Sequence, residues 1–422
     1  MNHSLSRPQR GAATLIVTLV LFFVMTLVTA FANRNHVFAQ RASANQYRAT
    51  QALEAAEAGV EWTIAMLNNP RRVGADCLPA ADADRSFRER HLGYDAASGT
   101  QTPLTWLDAG EPVPLRAACV RGGTGWDCHC PTEAHPDLDV PAGDGPAMAF
   151  IVEFAAGPKP NIVRVVSTGC TRLGGPCLPG GVRTTDAVSR VEVMLGLVPG
   201  LAEAPVAPLT VAGSVQAVGA SLGLHNPDAA SGGVAAHAGG SVQAPNARVT
   251  TAPGASADLA WVEGDAHLGG MGADRLFAAS FKLDKAVWKE QAAVTHFICE
   301  GSCGAELAAI IGDGNVNRLI WVDGDLQLDG PATIGSAERP VIIVAGGALR
   351  LAGAVVIHGF VHAAGIEWND AASGALLRGA AVSESGYQGN AAADLFYDRA
   401  VLAALQGNSG SFARVPGSWK DF

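Results

Sequence analysis

Residues 11–32 read GAATLIVTLVLFFVMTLVTAFA, a stretch of 22 uncharged, mostly apolar residues that stands directly behind Arg7 and Arg10. About 20 such residues suffice to span a bilayer as a helix. A secretory signal would have a shorter apolar core and a small-residue cleavage site. The continuation, NRNHVFAQRASANQYRATQALEAAEAGVEWTIAMLN, keeps helical spacing, and no proline interrupts the chain between Gly11 and Pro70. One helix over 12–69 would be roughly 87 Å long, apolar at one end and wet at the other. A plain membrane anchor accounts for the apolar run. It explains neither the Arg10-Gly11 pair at the start of the run nor the helical pattern beyond the membrane.

The stretch QRGAATLIV, the apolar run and the later EAAEAG together resemble the N-terminus of type IV pilins, most closely the PilX-type minor pilins. The resemblance covers residues 7–69, is looser to about 200, and returns in the closing RVPGSWKDF. It implies a leader over 1–11, cut after Gly11 by a prepilin peptidase, and a mature chain that begins at Ala12, usually N-methylated. The fifth mature residue is then Ile16, where major pilins carry a glutamate. Partners follow from the same resemblance: other minor and major pilins through the helix, the prepilin peptidase, and inner-membrane lipid before assembly. The implied location is the bacterial inner membrane, single-pass with the C-terminal part in the periplasm, and then the pilus tip. Glu54, Glu57 and Glu61 fall on one helix face. They serve either as a solvated surface or as polar contacts to neighbouring pilin helices or to the subunit's own head.

Net charge is −10 over 422 residues, charged residues make up 16%, and no basic cluster resembles a phosphate-backbone footprint, so nucleic acid is not an expected partner. Fifty glycines point to a turn-rich, β-dominated body, and the length allows two or three domains. All eight cysteines follow the apolar run, an even count on the exported side, which favours disulfides. Cys170 and Cys177 bracket the turn-forming TRLGGP, and Cys299 and Cys303 bracket EGS, so each pair is expected to close a short loop. Cys77, Cys119, Cys128 and Cys130 are expected to be disulfide-bonded too, in a pairing that the sequence leaves open. The competing zinc reading takes Cys119, Cys128, His129, Cys130 and His135 as ligands, without the usual C-x-x-C knuckle.

From Pro70 to about residue 145 the chain reads as irregular. Three β-like runs follow, over 148–155, 161–167 and 187–195, the last alternating cleanly enough to have one buried face. The long helix is therefore expected to pack on a small antiparallel sheet within a disulfide-containing region over 70–198. Residues 199–208, PGLAEAPVAP, read as a linker. Beyond it the chain repeats itself: GSVQAVG at 213, GSVQAPN at 240, GDAHLGG at 264, GDLQLDG at 324 and GALRLAG at 347. Each copy looks like a short strand between glycines. Units this short must stack to bury their apolar side, so a parallel β-helix or β-solenoid is expected over 209–390. A helical insertion is expected at about 271–318, and 391–422 is left as a C-terminal tail. The predicted class is α+β and membrane-anchored.

Catalytic and metal constellations are poor. Asp313-Gly-Asn315-Val-Asn317 begins like a calcium loop but lacks the distant glutamate, so it reads as a turn. His358 and His362 read as core or rim residues. The acid pairs Glu263/Asp265 and Asp323/Asp325 flank Gly264 and Gly324 at equivalent repeat positions, which ties them to the turns rather than to sugar hydrolysis. No enzyme activity, cofactor or metal is expected. The expected role is a structural pilin-like subunit that initiates or caps a fibre. The alternative is a membrane-tethered β-helix that binds or cleaves polysaccharide.

Overall fold

The computed structural model describes residues 10–80, 82–95, 100–141, 147–178, 184–219 and 221–422. One helix runs over Arg10–Asn68, and residues 1–9 of the expected leader lie outside the described residues.

The upper part of this helix packs on an antiparallel sheet. In spatial order the strands are Trp126–His129, Arg116–Arg121, Ala149–Ala156, Ile162–Cys170, Val188–Pro199 and Gly410–Arg414, with Lys420–Asp421 also pairing with Val188–Pro199. Two of these strands lie in the stretch read as irregular. Their polar outer positions and cysteines obscured the alternation, whereas Ala117, Ala118, Cys119 and Val120 are buried. The core joins Val60 and Leu67 of the helix to Phe150, Val152, Val163, Val193 and Phe412 of the sheet. Four disulfides close: Cys77–Cys130, Cys119–Cys128, Cys170–Cys177 and Cys299–Cys303. Their formation consumes the thiols that the zinc reading needed.

The second unit is a body of short strands paired in parallel along three ladders. The first ladder stacks Val294–His296, Leu319–Val322, 341–345, 359–363, 381–383, Leu209–Val211, Ala236–Ala238 and Trp261–Val262. The second stacks Leu326–Asp329, 349–352, 366–368, Tyr387–Gly389, Val215–Gln216 and Val242–Gln243. The third stacks Ala332–Ile334, 355–357, 376–378, 394–396, Gly223–His225 and Arg248–Thr250. Inward residues of all three, among them Leu224, Ile320, Leu326, Ile343, Leu349 and Ile357, form one core. At one corner Gly359 and Gly379 have φ of +152° and +137°, and a Cβ on either would lie 1.9 Å from the carbonyl oxygen of the coil beside it. Only glycine fits there.

The stacking order is not the sequence order. The coils over 209–262 sit beyond the coil that ends near residue 397, and the Val294–His296 end of the stack abuts the helix–sheet unit. There the Ala293 amide donates to Ser411 Oγ (2.9 Å), and Asn317 donates to the Asn68 carbonyl (3.4 Å). The chain thus climbs to the middle of the stack, adds three coils outward, returns to the base, and climbs again until it meets its own first coil.

This path corrects several expectations. Residues 199–208 are a packed strap, not a free linker. Leu201 and Ala207 are buried, Gly200 accepts from the Trp288 indole (2.9 Å), and the amides of Ala202 and Glu203 both reach the Ser280 carbonyl. The GDAHLGG copy is a helical turn over Ala266–Gly269 rather than a strand, because the Asp265 carboxylate caps the amides of His267 and Leu268. It follows the outermost first-ladder strand, where no further strand is needed. The helical insertion is split. Helices Ala273–Phe281 and Lys285–Lys289 precede the strand Val294–His296, and helix Gly304–Asp313 follows it. The first two place Phe277, Phe281 and Trp288 over Leu319, Trp321, Ile342 and Phe360, so they cover an outer face of the body. Residues 391–422 are not a tail: 394–396 joins the third ladder, Arg399–Asn408 is a helix, and Gly410–Arg414 completes the antiparallel sheet.

Candidate assembly surface

The long helix divides at residue 50. Every described side chain from 13 to 50 is exposed, including Leu15, Ile16, Leu19, Phe22, Phe23 and Phe31. By length and composition this helix can cross a membrane. Its hydroxyls are already satisfied within it: Thr18, Thr26 and Thr29 donate to carbonyls three or four residues back at 2.7–2.9 Å. A segment that meets lipid or apolar neighbours needs this, since an unpaired polar group there is costly. Ile16 is 61% exposed. Gly11 and Ala12 lie in the first helical turn, whose side chains fall outside the described residues.

Above residue 50 the helix turns slim. Ala52, Ala55, Ala56, Val60, Thr63 and Leu67 are buried and share one face. Contact is close enough that a Cβ on Gly169 would lie 2.1 Å from the Ala52 carbonyl oxygen, and one on Gly59 would lie 2.9 Å from the Phe150 ring. Trp62 meets Phe87 edge-on, with ring centroids 5.1 Å apart. At the end of the helix Asn68 bonds both backbone groups of Phe412, donating to its carbonyl (3.0 Å) and accepting from its amide (2.8 Å). Gly59 closes the EAAEAG motif, but neither Gly169 nor Asn68 stood out in the sequence. A glycine within an alanine-rich helical run was the available signal for Gly59.

Glu54, Glu57 and Glu61 lie on the opposite, exposed face. Glu61 pairs with Arg414, whose guanidinium also stacks over Trp419 at 5.3 Å. Glu54 and Glu57 have no ionic partner among the described residues and stay open to solvent.

The remaining candidates resolve into structural roles. Asp265 bonds His237 (2.7 Å), and Glu263 accepts from the Val242 amide (2.9 Å). Asp323 accepts from the Trp321 indole (2.8 Å), and Asp325 takes the Ala348 amide and Arg350. His358 and His362 diverge about the Gly359 corner. His362 is buried beside Phe277 and Phe281, and burial pushes its pKa down to about 3. His129 accepts from the Asp137 amide, and His135 bonds Asp108. Asp313 ends a helix, followed by Gly314 in the left-handed region, and Asn315 bonds back to it. Among the described residues no three His, Cys, Asp or Glu side chains gather as a metal site.

Residues 10–61 match the PilX N-terminal family model. The long helix is therefore a PilX-type pilin N-terminus, and this part of the chain is type IV pilus-related. The match ends within the buried part of the helix and includes neither sheet. Comparison with curated proteins and with solved structures gives no match.

Proposed function

We propose that this chain is a minor pilin-like subunit that initiates or caps a type IV pilus or a related pseudopilus, in a structural and non-enzymatic role. The observation that carries this reading is the bare helix: a PilX-type segment with apolar side chains exposed on all sides through residue 50. Such a surface demands a surround, first lipid and then neighbouring pilin helices. Arg7 and Arg10 before the apolar run favour a cytoplasmic leader and a periplasmic head, which agrees with an oxidising compartment for the four disulfides. Prepilin peptidase then cuts between Gly11 and Ala12. We read the three-ladder body as a β-solenoid that extends the head beyond the helix–sheet unit.

The tip assignment rests on Ile16 together with that bulk. A glutamate at the fifth mature position would pair with the N-terminal amine of the preceding subunit, and an unpaired charge in apolar surroundings is costly. A chain with Ile16 cannot offer that carboxylate, but its own amine can receive one from the next subunit. It is thus suited to enter first. Quantitative mass spectrometry of sheared fibres tests this. Trace abundance beside the shaft subunit is expected, and comparable abundance would refute the tip role. Intact mass and N-terminal sequencing of the native protein test processing. Ala12 is expected first, Gly11→Val should abolish cleavage, and an unprocessed wild-type chain would remove the pilin reading.

A further inference from the structure

Where the two units meet, a cavity of about 60 Å³ is lined by three arginines. Arg88 comes from the short helix Phe87–His91 of the helix–sheet unit, and Arg318 and Arg339 come from the base of the parallel body. One carboxylate, Glu89, stands against them. Its Oε2 accepts from the Ser86 amide and hydroxyl at 2.9 Å, and its Oε1 lies 3.5 Å from Arg339 Nη2. Arg88 donates through Nη1 to the Gly410 carbonyl (3.2 Å) and stacks over Phe412 at 4.8 Å, while its Nε and Nη2 are buried without a partner. Among the described residues the Arg318 side chain has no hydrogen-bond or ion-pair partner. An adjoining cavity shares Arg318 and Arg339 and adds Arg72, whose buried Nε is also unpartnered.

The imbalance is costly in a protein that is acidic overall. Burial, and then the repulsion of a neighbouring arginine, lowers Arg88 and Arg318 to about 10, so both remain charged near neutrality. Buried charge without a counter-charge is strongly unfavourable. An anion would remove that penalty, and guanidinium forks match oxyanions closely. Size restricts the choice. At roughly 15 Å³ per water the cavity holds about four, which suits a small ion. The guanidiniums also come from both units, Arg88 from one and Arg318 and Arg339 from the other, which suits four oxygens better than a planar carboxylate.

We propose that this junction binds a small tetrahedral oxyanion of the phosphate class, held between Arg88 on one unit and Arg318 and Arg339 on the other. The ion would cross-link the head's two units. This proposal is independent of the pilin reading and is tested without fibres. Equilibrium dialysis of the detergent-solubilised full-length chain against radiolabelled inorganic phosphate, at ionic strength held constant with sodium chloride, should give one bound ion per chain. Phosphate should also raise the thermal midpoint saturably. Arg318→Gln removes a side chain with no hydrogen-bond or ion-pair partner among the described residues, so the variant should fold and bind phosphate at least tenfold more weakly. Absence of bound phosphate on the wild-type chain would overturn the proposal. So would equal binding by Arg318→Gln, or acetate matching phosphate in competition.

Discussion

The two halves of the N-terminal helix are one continuous element with opposite packing rules. Below residue 50, large aliphatic and aromatic side chains project in every direction and stay exposed. Above it, alanines and Gly59 bring the backbone against the sheet so closely that Gly169 has no room for a Cβ. Bulk serves a surround that touches every side of a helix, while smallness serves a single partner surface at short range. The same secondary structure is thus stabilised by two environments, one carried within the chain and one found outside it.

Four measurements sharpen or break that contrast. Gly169→Leu drives a side chain into the helix backbone and should destabilise the head by more than about 3 kcal/mol, abolishing a cooperative thermal transition. Leu21→Ala, in the bare half, should leave the head's midpoint within the error of about 0.5 kcal/mol. Equal loss in both would erase the distinction. Next come the covalent ties. Cys77–Cys130 spans 53 residues just past the helix end, and Cys299–Cys303 spans four in the body. By loop entropy, replacing the first pair with serine should cost about 4 kcal/mol and the second about 2 kcal/mol. Denaturant midpoints that rank the pairs in reverse would refute this.

Acid provides the third test. His91 is buried beneath Phe87, itself against Trp62, and burial lowers its pKa from 6.5 to about 4. Because the unfolded chain takes up a proton that the fold rejects, stability is full above pH 6.5 and is lost as pH falls towards 4, by on the order of 3 kcal/mol. His362 acts with the same sign, so His91→Phe should flatten part of this slope in pH-dependent unfolding. An unchanged slope would count against the packed upper half. The smallest effect belongs to the rim. Arg414→Ala should cost under about 1 kcal/mol, because its pairing with Glu61 is largely solvated. A larger loss would show that the exposed face of the upper helix carries weight.

Much of this was legible because polarity and period are local properties. The apolar run, its continuation as a helix, the alternation near residue 190 and the glycine-flanked repeats each announce themselves within a dozen residues. The turn role of Asp265 was readable from its repeat position, whereas Asp325 reaches across to Ala348 and Arg350 of the neighbouring coil. Spatial order was not. Nothing in GSVQAVG says that Val215 pairs with Tyr387 on one side and Val242 on the other, since every copy presents the same short apolar edge. Asn68, Arg88 and Arg318 were equally silent, because each acts through residues hundreds of positions away or on a different unit. The closing RVPGSWKDF was the one distant signal available, and its residues do lie along Val188–Pro199.

That last pairing bears on how the chain is made. The antiparallel sheet lacks its edge strand until residue 410 is available, and the coil at 209 lacks its inner neighbour until residue 381 is. Neither unit can therefore reach its final pairing until these late residues are in place, the parallel body with 381–396 and the sheet with 410–421. A chain stopped short by even its last dozen residues would leave the edge beside the long helix unzipped. Completion of the N-terminal unit is thereby tied to residues 410–421.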